Sequence, residues 1–485
     1  MVDGEFGNVL IKKSMKIIRK LLGVCNLIMA LLPYGLSNGI KRTICFAMLH
    51  LSRGENKRLW QARLEKFAFR SAKNVALLHR NIERVLEVVR ERVGARGCVK
   101  VYFVCHEIAQ FTFQGIYDAM KGLSRFDPYV FCSNQWVRSE GATENIHDYF
   151  RRKGMKTVDA VDPQSPPDVV FFCIFDKDSI SISDMSALSV LCYIPYSWML
   201  SVASDDYFWR CDKLAYFARV YTPTERESRL ALSGRCIYPH AVVCSGNPKM
   251  DELAHSSAAG AAAVWKTKSA KRIIWAPHWS VGCASDLGTF DIYCRKMIDF
   301  LKVHGEIEVC LKPHPMLKAR LGSQKMIEEL RSKGWYWRDA IMDGKDYDLF
   351  LAEWNALPNA SIMDSGGYGD LFASSDAMML DSISFIAEYM AYNRPMCFLC
   401  KDDTQDKLKG RFNDIGWDLL SANTLAFNWD SAQKFMMDVV DGKDLNGERR
   451  LEMRDRYLMR NFGKVGEFIR DDIAKLLGLD GKEMR

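Results

Sequence analysis

Short, unbroken apolar runs most constrain what this chain folds into. They recur as "CVKVYFVC" (98–105), "PYVFCS" (128–133), "DVVFFCIF" (168–175), "SVLCYIPY" (189–196), "ARVYTPT" (218–224) and "AVVC" (241–244). A second series reads "RIIWAPHWS" (272–280), "EIEVCLKPHP" (306–315), "DAMMLDS" (376–382) and "PMCFLC" (395–400). Each run is strand-length, and helix-like segments separate them. A strand that is apolar on both faces is buried on both faces, and helical crossovers then make the sheet parallel. Between the two series lies "AHSSAAGAAAVWKTKSAK", small and weakly apolar, which reads as a linker. The expectation is two doubly wound α/β domains in tandem facing a cleft. In such sheets ligands bind beyond the carboxyl ends of the strands.

The first ninety residues have a different texture. Lys12, Lys13, Lys16, Arg19 and Lys20 precede an apolar segment from Leu21 to Leu36 that contains Pro33 and Gly35. It falls short of the roughly 20 residues that span a bilayer. A basic amphipathic segment on an anionic membrane surface is the reading, and a helical hairpin packed on the protein is the alternative. Residues 57–95 carry apolar side chains at spacings of three and four, as long helices do. The expected organisation is a helical, basic extension over 1–96, a first Rossmann-like domain over 97–254, a linker over 255–270 and a second over 271–485 that ends in helices.

Composition narrows the classes. The chain has 485 residues and a net charge of +7, concentrated toward the amino end, which is too diffuse for a dedicated nucleic-acid binder. Its 15 cysteines read as singly scattered, many of them inside apolar runs, and so as reduced core residues rather than a disulfide or zinc framework. No GxxxxGKS run is present, which excludes a P-loop. No Asp-rich cluster beside a strand points to a metal, so none is expected.

Several chemistry-bearing residues stand just past strand ends. They are His106 with Glu107, His278 with Ser280, Lys312 with His314, and Asp381 with Ser382 and Ser384. In "KPHP" the two prolines bar a helix interior or central strand and stiffen a turn, holding one cation and one imidazole in place. "LDSISFIAEYM" reads as a strand, a hydroxyl-rich turn and a helix. Unpaired N–H groups and serine hydroxyls there suit phosphate oxygens, with Lys312 and His314 supplying the positive charge that a diphosphate would need, and plain N-capping is the competing reading.

These motifs, in this order, resemble the CDP-glycerol glycerophosphotransferase family, the teichoic-acid and capsule polymerases. The resemblance covers roughly residues 190–400: "SGNPKMDEL", "WAPHWS", Lys312 to Pro315, Tyr368 and Asp370, Ser375 and Asp376, Asp381 with Ser382 and Ser384, and Arg394 with Pro395. It implies a GT-B fold, two Rossmann-like domains with the nucleotide donor on the second. It implies a CDP-activated donor, with no further cofactor, whose alditol phosphate passes to a hydroxyl of a membrane-linked glycan or polymer of the cell envelope. Lys312, His314, Asp381, Ser382, Ser384 and Glu388 are then the donor-binding residues. His106, His278 and His314 are the candidates for catalysis, with His106, beside Glu107, as the substitute base and His278 as the other contender, better suited to touching the donor phosphates. The family's His-Gly pair in the first domain is missing, since "CYIPYSWML" (192–200) stands in its place. The implied location is cytoplasmic, peripheral on the inner face of the plasma membrane. Alternatives are a nucleotide-sugar GT-B glycosyltransferase of surface polysaccharide synthesis and a non-catalytic GT-B-like membrane scaffold.

Overall fold

The computed structural model describes residues 72–133, 136–139, 142–175, 180–234, 236–268, 270–281, 287–322, 344–364, 367–401 and 404–479. The basic segment of residues 12–36 lies outside them. Two compact units divide the chain at Arg80 and Asn81, and the account below concerns Asn81–Arg485. Among the described residues no helix is long and apolar enough to cross a membrane.

Fifteen strands are described. Those of the first sheet are β1 (Val99–Cys105), β2 (Phe126–Cys132), β5 (Thr157–Val158), β6 (Val169–Phe172), β7 (Val190–Tyr193), β8 (Arg219–Thr222) and β9 (Val242–Cys244). Between them β3 (Trp136–Ser139) and β4 (Ala142–Asn145) form an antiparallel hairpin. The second sheet holds β10 (Lys271–Ala276), β11 (Ile307–Leu311), β12 (Ala360–Ile362), β13 (Ala377–Leu380), β14 (Met396–Leu399) and β15 (Thr424–Ala426). Every neighbouring pair within the two sheets is parallel. The orders are β5-β2-β1-β6-β7-β8-β9 and β12-β11-β10-β13-β14-β15. Each order reverses direction once, between β1 and β6 and between β10 and β13. Those are the places where the crossovers on either side diverge and leave a crevice.

The apolar runs become central strands because both faces find partners. On β10, Ile274 and Ala276 join one core and Ile273 and Trp275 the other; on β13, Met378 and Leu380 oppose Ala377 and Met379. This alternation also settles the cysteines of "CFLC". Cys397 and Cys400 have the C-x-x-C spacing, which the reading of singly scattered cysteines passed over. On a strand, positions three apart point to opposite faces, so the two thiols lie in different cores. The cysteines among the described residues are free thiols.

The last helix, Val465–Leu476, joins the first domain. Val465, Ile469 and Ile473 are packed in the same core as Ile116, Tyr117 and Met120 of the helix Gln114–Lys121. The two helices approach so closely that a Cβ on Gly466 would overlap the carbonyl of Gly115. Two further segments join the domains. Asn413 donates its backbone N–H to the Leu200 carbonyl (2.9 Å) and its amide to the Met199 carbonyl (2.8 Å). Arg226 grips both oxygens of Asp205 (2.9 and 2.7 Å) and also pairs with Asp414. "CYIPYSWML" therefore runs into the domain interface, where Trp198 and Leu200 enter the second sheet's core.

Candidate functional site

Three adjacent strands of the second sheet end together. β11 delivers Lys312 and His314, β10 delivers His278, and β13 delivers Asp381 and Ser382. Because β10 and β13 flank the reversal of strand order, His278 and Asp381 stand at the crevice. The prolines of "KPHP" allow the chain to leave β11 and fold back: the His314 N–H donates to the Pro277 carbonyl at 3.0 Å. This brings the two imidazoles to a centroid separation of 5.2 Å with their planes 69° apart. Trp279 lies beside both rings.

The electrostatics differ from a simple cationic cradle. Burial holds the His278 pKa down to about 3, with His314 as a second cause. Burial holds His314 down to about 4, with the neighbouring Lys312 ammonium as a second cause. Both rings are neutral at pH 7. The sequence assigns a positive charge to Lys312 and His314 alike; here Lys312 alone brings one, on a side chain buried to 7% exposure.

Asp381 is fully buried, and its carboxylate accepts three hydrogen bonds from one loop. One oxygen takes the His278 N–H (2.5 Å); the other takes the Thr289 N–H (2.5 Å) and hydroxyl (2.7 Å). Burial pushes its pKa up to about 7 while those donors pull it down. Its evident work is to tie the loop that carries His278 to the end of β13. Ser382 is buried and Ser384 half-buried, with their hydroxyls 3.4 Å apart at the start of the helix Ser384–Met390. Neither hydroxyl caps that helix; its cap position is Ile383.

Glu388 lies one helical turn further in and is also fully buried. One of its oxygens accepts from the Tyr368 hydroxyl, and the other is 3.7 Å from the Lys249 ammonium. Lys249 in turn donates to the Tyr368 hydroxyl at 3.2 Å. Burial raises the Glu388 pKa and Lys249 offsets part of that. Two sequence motifs converge here for a structural reason. "SGNPKMDEL" supplies Lys249, and its Asp251 accepts the N–H groups of Val465 (2.8 Å) and Gly466 (2.6 Å). Gly246 has a φ of 85°, and a Cβ there would overlap the Arg460 carbonyl. The motif is the junction of the two domains and the returning helix.

His106 stands apart from this group, beyond β1 at the first sheet's own reversal. It is 3% exposed, and its Nδ1 lies 2.6 Å from the Ser133 hydroxyl beyond β2. Among the described residues no group of three or more His, Cys, Asp and Glu side chains is arranged to hold a metal ion. Ser280 and Thr289 hold the His278 loop; sequence reasoning placed Ser280 beside His278 without giving it a role and missed Thr289. The signal for Ser280 was present in "PHWS", two residues after the histidine; Thr289 carried none.

No family model matches the chain, and no curated protein matches it in sequence. A solved variant of the wall teichoic acid polymerase TagF is similar over 85% of this chain and 97% of that one, at 13% identity and a TM-score of 0.53. The chain has the GT-B fold of that polymerase. A UDP-N-acetylglucosamine 2-epimerase (11% identity, 80% of this chain and 98% of that one, TM-score 0.49) and S. aureus MnaA with UDP (12%, 79% and 98%, 0.48) are further neighbours. The two facing Rossmann-like domains expected from the sequence are thus the architecture found, and the resemblance read from the motifs agrees with it at the level of fold.

Proposed function

We propose that this chain transfers an alditol phosphate, of the glycerol- or ribitol-phosphate type, from a CDP-activated donor to a hydroxyl of a cell-envelope glycan or polymer. The observation that carries the reading is the meeting of Lys312, His278 and His314 at the crevice of the second sheet. That crevice combines one buried cation with two imidazoles and the hydroxyls of Ser382 and Ser384, a donor-rich lining that suits diphosphate oxygens. The TagF likeness adds a polymerase of wall teichoic acid with the same fold.

In this reading the acceptor hydroxyl attacks the phosphorus nearer the alditol and CMP leaves. Lys312 balances the charge that develops on the departing phosphate, and positioning supplies most of the rest. Asp381 and Glu388 act behind the site, Asp381 by holding the His278 loop and Glu388 by holding Tyr368 and Lys249. A buried carboxylate facing a diphosphate would repel it. His106, on the acceptor side and oriented by Ser133, is the proposed base. The amino-terminal basic segment is the proposed contact with an anionic membrane, which would put the enzyme on the cytoplasmic face beside a lipid-linked acceptor.

Calorimetric binding of CMP, CDP-glycerol, CDP-ribitol, UDP and GDP tests this, with Lys312→Met alongside. The expected result is cytidine selectivity that weakens at least tenfold in the variant. A preference for UDP or GDP would move the chain to the sugar transferases. Absence of binding to all five would reject a donor site here.

A further inference from the structure

The hydrogen bonds around the two site histidines determine which ring nitrogen carries the proton. At His278, Nδ1 lies 2.7 Å from the Ser280 hydroxyl oxygen. That same oxygen accepts the N–H groups of Leu287 (3.0 Å) and Gly288 (3.3 Å). A hydroxyl has two lone pairs and one proton. With both lone pairs engaged, its proton is what remains to meet Nδ1. The Ser280 N–H reaches the same nitrogen at 3.3 Å. At His314, Nδ1 accepts the Met316 N–H at 3.1 Å, and an amide N–H has no acceptor role to exchange. A neutral imidazole offers one acceptor and one donor nitrogen, and the bond at one fixes the other. Both rings therefore carry their proton on Nε2.

We propose that His278 and His314 are a pair of neutral, orientation-locked Nε2–H donors to the anionic oxygens of the donor diphosphate, and that neither is a general base. The inference rests on the reading of this crevice as a diphosphate site. Two features make the arrangement stable. Both rings are half-buried, desolvation keeps them uncharged down to acid pH, and the groups around them reinforce this: Lys312 beside His314, each ring beside the other, and Asp381 engaged with the His278 backbone rather than its ring. A fixed neutral donor stabilises developing negative charge without reorganising and without surrendering its proton. The base must then come from elsewhere, which agrees with a separate histidine, His106, on the acceptor domain.

Long-range proton–nitrogen spectra of the full-length protein without ligand read the tautomers directly. His278→Gln and His314→Gln identify the resonances by their loss. The expected pattern is an unprotonated Nδ1 and a protonated Nε2 on both rings from pH 5 to pH 8. A proton on Nδ1, or an imidazolium at pH 7, overturns the inference. The role is tested with CDP-glycerol and inorganic pyrophosphate as probes. His314→Gln keeps an N–H near the Nε2 position and should bind within about threefold of the parent, whereas His314→Ala should lose about tenfold or more. Glutamine no better than alanine overturns the donor role. Nε2–H tautomers together with no binding of CDP-glycerol would count against the CDP-donor reading and leave the tautomer assignment standing.

Discussion

Replacing Asp251 with alanine should detach the last helix from the first domain. Asp251 is 6% exposed, and its two oxygens accept the Val465 and Gly466 N–H groups at 2.8 and 2.6 Å. These are first-turn amides of the helix Val465–Leu476, which have no partner within the helix itself. Water cannot easily replace the carboxylate, because Gly466 lies against the Gly115 backbone. Each buried N–H left without an acceptor costs about 1–3 kcal/mol. Relief of the buried carboxylate, whose pKa burial already raises, gives part of this back. A net loss of about 3 kcal/mol for the helix is the result, and at 1.4 kcal/mol per tenfold that is about a 100-fold loss of protection. Hydrogen-exchange mass spectrometry of the peptides covering 465–476 measures it locally, without assuming that the whole chain unfolds in one step. Asp251→Asn, which keeps one acceptor, should fall between the two. Protection unchanged within threefold in the alanine variant would refute the claim that this carboxylate anchors the helix.

Two other perturbations test the interior of the site. Lys249→Met strips the partner from the fully buried Glu388 and should cost about 3–5 kcal/mol, with much of the loss recovered in Lys249→Met/Glu388→Gln; denaturant midpoints of the four proteins give the coupling, and additive losses would disprove it. His278 and His314 have pKa values of about 3 and 4 when folded, below the ordinary 6.5. Between those limits the unfolded chain binds more protons, so their contribution to stability is complete above pH 6.5 and lost as pH falls toward 4. Thermal melts from pH 4.5 to 7.5 should show this decline, shallower in His314→Gln, and an equal slope in the variant would contradict it.

Much of the architecture was legible because its signals are local. Ile273 to Ala276 and Ala377 to Leu380 are apolar without alternation, and only a sheet covered on both faces buries such runs. The prolines of "KPHP" announce a turn wherever they stand. The placement of His278, His314 and Asp381 at strand ends followed from the same pattern, since a doubly wound sheet gathers its strand ends at one edge. What misled was charge. Histidine beside lysine reads as a cationic pair, but the pKa of an imidazole is set by burial, and burial is a property of everything packed around it. Glu388 and Asp381 were likewise read as ligand-facing, although their partners are Lys249, 139 positions away in the chain, and Thr289, 92 positions away.

The sequence by itself therefore determined two parallel sheets, their order along the chain and the residues delivered to their carboxyl edges, because periodicity and proline act within a few residues. Tertiary structure alone decided what each of those residues is for. It brought Lys249 to Glu388, Asp251 to the final helix and Thr289 to Asp381, and it set the protonation of both histidines, because hydrogen-bond partners and desolvation come from segments that meet only when the chain has folded.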